Sequence, residues 1–194
     1  MTDTPQPTAT QDLDVLTRFI HLGLAVFGLL ALLTGLFAGD YKRVHHLAFS
    51  VHKWLGLSLS FFMAWRLWLG FYGPQEARFN QWVPYTSERL KLAGEDCLNL
   101  LRLRLPERSA RQGLAGVVQA FGLAVFAYMA ITGSLMALFL TPGRKAGGLV
   151  HGLKEIHELG LWLIVAFLAV HGGAVLLHAA TGDHCWRRTF FLEK

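Results

Sequence analysis

Two histidines, His157 and His171, lie fourteen residues apart in the last long apolar stretch of the chain. Fourteen residues make nearly four turns of an α-helix, so both side chains face the same way, about 21 Å apart along the helix axis. A bilayer core is about 30 Å thick, so each histidine would lie towards a different membrane surface. Ionisable side chains at these depths are rare and default to a functional role with a partner.

The composition predicts that this stretch crosses a membrane. Of the 194 residues, 53% are hydrophobic and 16% are charged, whereas soluble domains have about 25% charged residues. Four segments reach the roughly 20 apolar residues that a spanning helix needs. They are residues 17–39, 48–73, 113–141 and 153–180. We therefore predict an all-α membrane protein in which residues 1–194 form a single four-transmembrane-helix bundle.

Lysine and arginine residues predict the orientation of the bundle. Eleven of them flank the spans on the side that holds both termini and the long middle loop, and five flank the other side. By the positive-inside rule, both termini lie in the cytoplasm. The net charge of +5 is then mostly a topology signal, and it does not indicate nucleic-acid binding.

This orientation sorts four histidines into two levels. His21 begins the first span near the cytoplasmic face, and His52 begins the second span near the outer face. The last span runs inward, so His157 lies near the outer face and His171 lies nearer the cytoplasm. Depth alone therefore pairs His52 with His157 and His21 with His171.

Paired imidazoles on facing helices are typical ligands of low-spin b haem, which takes one nitrogen on each side of its ring. Cys97 and Cys185 belong to no Cys-x-x-Cys-His motif, which excludes covalent c-type attachment. A single transmembrane histidine often only donates an interhelical hydrogen bond, but four that match in depth favour ligation. We therefore predict two bis-histidine haem b sites, with these four histidines as axial ligands of the iron.

Two arginines lie close to the predicted ligands. Arg18 precedes His21 by about one helical turn, and Arg66 follows His52 by fourteen residues, which brings it to the level of the inner haem. Both are candidates to pair with haem propionates through charge-assisted hydrogen bonds. Alternatively, Arg18 anchors its helix at the interface, and Arg66 extends its charged group to the cytoplasmic headgroups.

Small residues extend the face that carries the first ligand. His21, Gly28 and Gly35 recur every seven residues, so this face continues as bare backbone to the level of the outer haem. Such clearance suits a flat ring, and tight helix packing is the alternative explanation.

Further polar residues lie at the two membrane surfaces. His178 follows His171 by two turns and is a candidate for a propionate or a quinone head group, or a simple interfacial residue. Histidines and basic residues of the outer segments would form a positive mouth above the outer haem. They are Lys42, Arg43, His45, His46, Arg144, Lys145, His151 and Lys154.

The connector between the second and third spans contains a predicted amphipathic helix at residues 87–105. Ser87 is its predicted N-cap, and Pro106 would end it. Such a helix lies along the cytoplasmic headgroups with its basic residues towards anionic lipid, or forms a solvated connector. Its predicted apolar face is Leu90, Cys97, Leu98, Leu101 and Leu105, and its predicted polar face is Arg89, Glu95, Asp96, Asn99 and Arg102.

The sequence resembles the prokaryotic cytochrome b561 family, which includes the b-type cytochrome subunits of nickel-iron hydrogenases. The matching motifs cover all four spans, and the two histidines of the last span are the most specific element. The motifs are Arg18 to His21, His52 to Gly56, Trp65 to Trp68, Tyr128 with Gly133, His157 to Gly160, His171 to His178, and Gly182 with Asp183.

The resemblance implies four helices that hold two b haems and pass electrons between quinone and another donor or acceptor. It also implies that the axial ligands are His21, His52, His157 and His171. The sequence departs from the family at Leu22, where an aromatic residue often follows the first ligand. It departs again at 119–122, which lacks the histidine that some members carry.

We therefore predict a quinone-linked cytochrome b of the bacterial inner membrane, with ubiquinone or another quinone as substrate. In one version the protein is an oxidoreductase by itself, which draws superoxide to its basic outer mouth and reduces ubiquinone. In the other it is a membrane subunit that relays electrons to or from a redox partner such as a hydrogenase or a cytochrome c. A metal-ion transporter is a third hypothesis, but the middle of the spans has no carboxylate or cysteine beside the histidines.

Overall fold

The computed structural model describes residues 14–38, 47–104, 112–140, 147–182 and 185–192, and every regular element in these ranges is helical. A short 3-10 turn, Gln75–Ala77, joins the second and third helices. The helices are α1 (Val15–Gly35), α2 (Leu47–Tyr72), α3 (Phe79–Trp82), α4 (Ser87–Leu101), α5 (Gly113–Phe139), α6 (Gly148–Ala180) and α7 (Cys185–Thr189).

Four of these helices, α1, α2, α5 and α6, are long and apolar enough to cross a membrane. Large apolar side chains such as Leu33, Phe61 and Trp162 are exposed along them, as expected for surfaces that face lipid tails. The predicted all-α fold with four spans is therefore confirmed.

The last spanning helix begins at Gly148, five residues before the predicted span at 153. Its first turns are polar, and an ion pair of 2.6 Å joins Lys154 Nζ to Glu158 Oε1 one turn later. Hydropathy marks only the part of a helix that lies in lipid, whereas the helix itself continues into the polar layer.

The spanning helices pack in chain order. Helix α1 packs on α2, α2 on α5, and α5 on α6. Within the described ranges, α6 is not closely packed against α1 or α2, the helices that carry its partner histidines. A glycine also lets a side chain of α5 approach α1, since an added Cβ on Gly28 would lie 2.6 Å from Phe126 Cε1. This contact favours the helix-packing explanation of Gly28.

The connector helix α4 differs from its prediction at both ends and on one face. The Oγ1 of Thr86, not of Ser87, accepts a hydrogen bond from a backbone N–H of the first turn, and the helix ends at Leu101. Asp96 was predicted on the polar face but is buried. Its carboxylate accepts a hydrogen bond of 2.9 Å from the Leu114 backbone N–H at the start of α5, a favourable place for a negative charge.

The predicted apolar face of α4 points away from the bundle. Leu90, Leu98 and Leu101 are all exposed, Leu101 to 82%, while the other side of the helix packs on α5. Exposed leucines in a row favour contact with lipid over a solvated connector. Leu105 and Pro106 lie outside the described residues.

Candidate haem sites

The structure brings the four predicted ligands together in two couples. The ring centroids of His52 and His157 are 6.3 Å apart, and those of His21 and His171 are 6.5 Å apart. We call the first couple the outer pair and the second the inner pair, after their predicted sides. Both couples match the pairing that depth alone predicts.

Both separations fit one metal ion between the rings. A metal-to-imidazole nitrogen bond is about 2.0–2.1 Å and the ring centre lies about 1.2 Å beyond the nitrogen, so two imidazoles on opposite sides of one ion have centroids about 6.4–6.6 Å apart. The observed 6.5 Å lies within this range, and the observed 6.3 Å lies just below it. The residues present therefore fit haem iron at both sites.

In the outer pair, neighbouring helices hold the Nδ1 atom of each ring. The Nδ1 of His52 is 2.9 Å from the carbonyl oxygen of Ala31 on α1. The Nδ1 of His157 is 2.8 Å from Oγ1 of Thr132 on α5. Metal-binding histidines usually donate their second ring N–H in this way, which fixes the tautomer and leaves Nε2 for the metal.

The same two helices approach the edges of these rings at glycines. A Cβ added to Gly35 would lie 3.1 Å from Cε1 of His52, and one added to Gly133 would lie 3.1 Å from Cε1 of His157. The clearance expected at Gly35 therefore accommodates a histidine ring. Each glycine follows a threonine, Thr34 on α1 and Thr132 on α5. Neither threonine was predicted from the sequence, and the repeated Thr-Gly dipeptide is the signal that could have found them.

Aromatic rings surround the inner pair. The ring of Phe190, which follows α7, lies edge-on to His21 with centroids 5.5 Å apart. The ring of Phe167 stacks on His171 at 5.1 Å with an angle of 17° between the planes. The C-terminal segment therefore folds back against the inner pair, a contact that the sequence did not predict.

Three buried side-chain nitrogen atoms at this end have no hydrogen-bond partner among the described residues. They are Nε of Arg18, Nδ1 of His21 and Nε1 of Trp186. The guanidinium of Arg18 also lies 4.1 Å from the ring centroid of Phe191. A buried donor without an acceptor costs about 1–3 kcal/mol, so the N–H groups of Arg18 and Trp186 suit a ligand that brings acceptors. Haem carries two propionate carboxylates that would suit these two donors, whereas Nδ1 of a His21 ring bound through Nε2 would face away from the iron.

Arg66 is held by the segment that follows α2. Its Nη1 donates to the carbonyl oxygen of Ala77 at 3.3 Å, and its guanidinium lies 5.4 and 5.5 Å from the ring centroids of Phe79 and Trp82. It also interacts electrostatically with His21. Its position beside the inner pair is compatible with the predicted propionate contact, which stays a prediction.

His178 lies in the last turn of α6 and is half-buried. It follows His171 by seven residues, so both side chains lie on the same helix face. Its propionate, quinone and interfacial alternatives all stay open.

The described part of the positive outer mouth is compensated by carboxylates. Lys154 Nζ lies 2.6 Å from Glu158 and 3.9 Å from Glu155, and His151 lies 3.9 Å from Glu155. The other residues predicted to form this mouth lie at 42–46 and 144–145, outside the described residues. The part that the structure describes therefore offers little net positive charge.

A family model described as prokaryotic cytochrome b561 matches residues 12–191. The match includes all four spans and both histidine pairs. No curated protein and no solved structure matches the chain. Proteins of this family are helical-bundle b-haem proteins that transfer electrons in prokaryotic membranes. On the strength of this match, which agrees with the four spans, the chain belongs to the prokaryotic cytochrome b561 family.

Proposed function

We propose that this cytochrome transfers electrons across the bacterial inner membrane through two bis-histidine b haem sites and exchanges them with a quinone. The outer site uses His52 and His157, and the inner site uses His21 and His171. Bound haem supplies reversible one-electron chemistry at each site. The observation that carries the proposal is the presence of two histidine couples whose centroid separations, 6.3 and 6.5 Å, each fit one iron.

The residues of the chain set the conditions for this transfer. The helices present half-buried imidazoles at two levels of the bundle. Moving one electron through the membrane potential changes its free energy by about 2.3 kcal/mol per 100 mV. The excess of basic residues on one side supports an orientation with both termini in the cytoplasm, which places the inner pair on the cytoplasmic side.

An apolar groove between α5 and α6 supports the coupling to quinone. Phe167 lines this groove and also stacks on His171, so a molecule in the groove lies one side chain away from the inner pair. Quinones that dissolve in membranes are largely apolar, and ubiquinone or another quinone suits such a lining. The remaining lining residues are Val117, Val118, Phe121, Ala166 and Val170.

Haem content tests the proposal directly. The full chain, expressed with ample haem, should contain two b haems per chain and show the reduced absorption spectrum of a b-type cytochrome. His52→Ala and His157→Ala should each remove the same haem, whereas His21→Ala and His171→Ala should each remove the other. A colourless protein, one haem per chain, or variants that all keep both haems would contradict the two-site proposal.

A second candidate is a membrane subunit that relays electrons to or from a redox partner such as a hydrogenase or a cytochrome c. The charge compensation of Lys154 by Glu158 and Glu155 favours it, because an outer surface that acts on superoxide would be expected to attract anions. Superoxide-driven quinone reduction by the isolated protein would support the stand-alone oxidoreductase. Electron transfer only with a co-purifying subunit would support the relay.

A metal-ion transporter has less support. Among the described residues, no group of three or more histidine, cysteine, aspartate or glutamate side chains is placed to hold a metal ion. Transport of zinc or copper by haem-free protein in vesicles would contradict the electron-transfer proposal.

A further inference from the structure

A chain of two hydrogen bonds runs from His157 through Thr132 to the backbone of α5. The Nδ1 of His157 lies 2.8 Å from Oγ1 of Thr132, and the same Oγ1 lies 2.8 Å from the carbonyl oxygen of Tyr128. Thr132 is buried, so water does not replace either bond. Thr132 and Tyr128 belong to α5 and His157 belongs to α6, so the chain of bonds connects the two helices.

The direction of these bonds follows from the proposed ligation. With Nε2 of His157 bound to iron, Nδ1 would carry the ring proton and donate it to Oγ1 of Thr132. The hydroxyl proton of Thr132 then goes to the carbonyl oxygen of Tyr128, which only accepts. A hydroxyl that already donates is polarised and becomes a better acceptor.

The position of the ring is set by the same stretch of α5. The Tyr128 hydroxyl donates to the carbonyl oxygen of Ile156, the residue before His157. Gly133 brings its backbone against Cε1 of the ring, where an added Cβ would lie 3.1 Å away. The backbone of α6 and the edge of the imidazole are therefore both fixed by α5.

The partner ring in the outer pair is held differently. Nδ1 of His52 donates to a backbone oxygen, that of Ala31, at 2.9 Å. Thr34 occupies the position that corresponds to Thr132, but its Oγ1 is 3.5 Å from Nδ1 of His52, at the limit of a hydrogen bond. Of the two outer rings, His157 therefore relies on a threonine side chain for its short contact, whereas His52 relies on a backbone oxygen.

We propose that Thr132 is a positioning residue that fixes the tautomer of His157 and lowers the midpoint potential of the outer haem. A hydrogen bond at Nδ1 makes the imidazole a stronger electron donor to the metal, and a stronger donor stabilises ferric iron over ferrous iron. This inference rests on the proposed two-haem function. It adds a residue outside the predicted ligand set that tunes one of the two sites.

The experiment compares Thr132→Val, Thr132→Ser and Thr34→Val with the wild type in the full haem-loaded protein. Valine keeps the shape of threonine and removes the hydroxyl, whereas serine keeps the hydroxyl. Optical redox titration measures both midpoint potentials, and electron paramagnetic resonance of the oxidised protein measures the ligand field at each iron. Thr132→Val should raise one midpoint potential and shift one low-spin signal. Thr132→Ser and Thr34→Val should leave both near the wild-type values.

Several results would overturn the inference. Thr132→Val could leave both potentials and both signals unchanged, or Thr34→Val could shift them equally, which would indicate packing. If Thr132→Val loses one haem, the inference holds only when Thr132→Ser and Thr34→Val keep two. A wild-type protein without two haems would contradict the proposed function as well, whereas two haems with a silent Thr132→Val would contradict this inference alone.

Discussion

The outer and inner histidine pairs are similar in separation but differ in what surrounds them. Both outer rings have their Nδ1 atoms bonded to neighbouring helices, at 2.9 and 2.8 Å. At the inner pair, Nδ1 of His21 is buried without a partner among the described residues, and two more unpartnered donors, on Arg18 and Trp186, belong to the same end of the bundle. The protein thus completes the outer site by itself, whereas the inner site lacks acceptors that a bound group can supply.

Removal of haem should produce the largest difference between the outer and inner sites. Without acceptors, the two donors on Arg18 and Trp186 cost the inner end about 2 kcal/mol or more, a factor of at least roughly 30 in local opening. The outer rings keep their bonds to Ala31 and Thr132. We expect hydrogen exchange to accelerate by about that factor in α7 and the first turns of α1, and by much less around Thr132.

The measurement is hydrogen exchange with mass spectrometry on haem-loaded and haem-free protein in the same detergent. Peptides from α4, which packs on α5 and carries none of the four histidines, serve as the internal control. Equal acceleration at the two ends would show that the inner site is as complete as the outer one, and the contrast would be lost.

The Gly133→Ala substitution tests how tightly the outer site holds its histidine ring. Its new Cβ would lie 3.1 Å from Cε1 of His157, and a ring bound to both Thr132 and iron cannot move away. The overpacking should cost about 1–3 kcal/mol, which predicts loss of the outer haem to a haem acceptor about 5- to 150-fold faster. In the haem-free protein the ring can shift, and alanine in a helix stabilises by about 1 kcal/mol relative to glycine.

Gly94→Ala on α4 is the control, because an added Cβ there meets no heavy atom of the described chain within 4 Å. It should keep both haems at wild-type rates. If Gly133→Ala retains the outer haem as well as Gly94→Ala does, then the close approach of α5 does not hold the ring in place.

The spans and the two histidine couples could be predicted because apolar length and fourteen-residue spacing depend only on helix geometry. The hydrogen-bond acceptor of His157 could not be predicted from the sequence. Thr34 and Thr132 both donate to the carbonyl four residues earlier, so the same local pattern leads to one contact of 2.8 Å and another of 3.5 Å with a histidine. The distance depends on how two helices cross, which no local pattern encodes.

The contacts of Asp96 and of the C-terminal segment likewise could not be predicted from local sequence patterns. The α4 pattern places Asp96 on a polar face, but the N–H groups at the start of α5 make that face a buried one. The five-residue helix α7 is too short for a periodic signal, and its contact with the inner pair joins residues far apart in the chain. The binding of iron by the four histidines stays a prediction.

The Trp186→Phe substitution tests the inner site. Its effect should be stabilising or neutral in the haem-free protein and destabilising in the haem-loaded protein. In the haem-free protein it removes a buried donor that has no partner among the described residues, so stability should stay equal or rise by about 1 kcal/mol. In the haem-loaded protein, where the indole N–H would donate to the bound group, the inner haem should be lost about tenfold faster from the variant.

Thermal unfolding of the haem-free protein and haem transfer from the loaded protein measure the two effects. Trp162→Phe, at an exposed tryptophan of α6, is the control and should change neither. A destabilised haem-free Trp186→Phe variant would show that the indole is needed for packing, and that its N–H does not serve to bind an added acceptor.

Phe190→Leu should have the smallest effect. Its ring lies edge-on to His21 at 5.5 Å, a contact that adds about 0.5–1.5 kcal/mol beyond burial. Inner haem loss should therefore accelerate only two- to tenfold, with Phe139→Leu, at an exposed position at the end of α5, as control. The order of the Trp186→Phe and Phe190→Leu effects on inner haem loss is more informative than their magnitudes. If Phe190→Leu accelerates inner haem loss more than Trp186→Phe does, then aromatic packing, and not the unpartnered donors, orders the inner pair. The two sites would then differ only in the kind of contact that holds each ring.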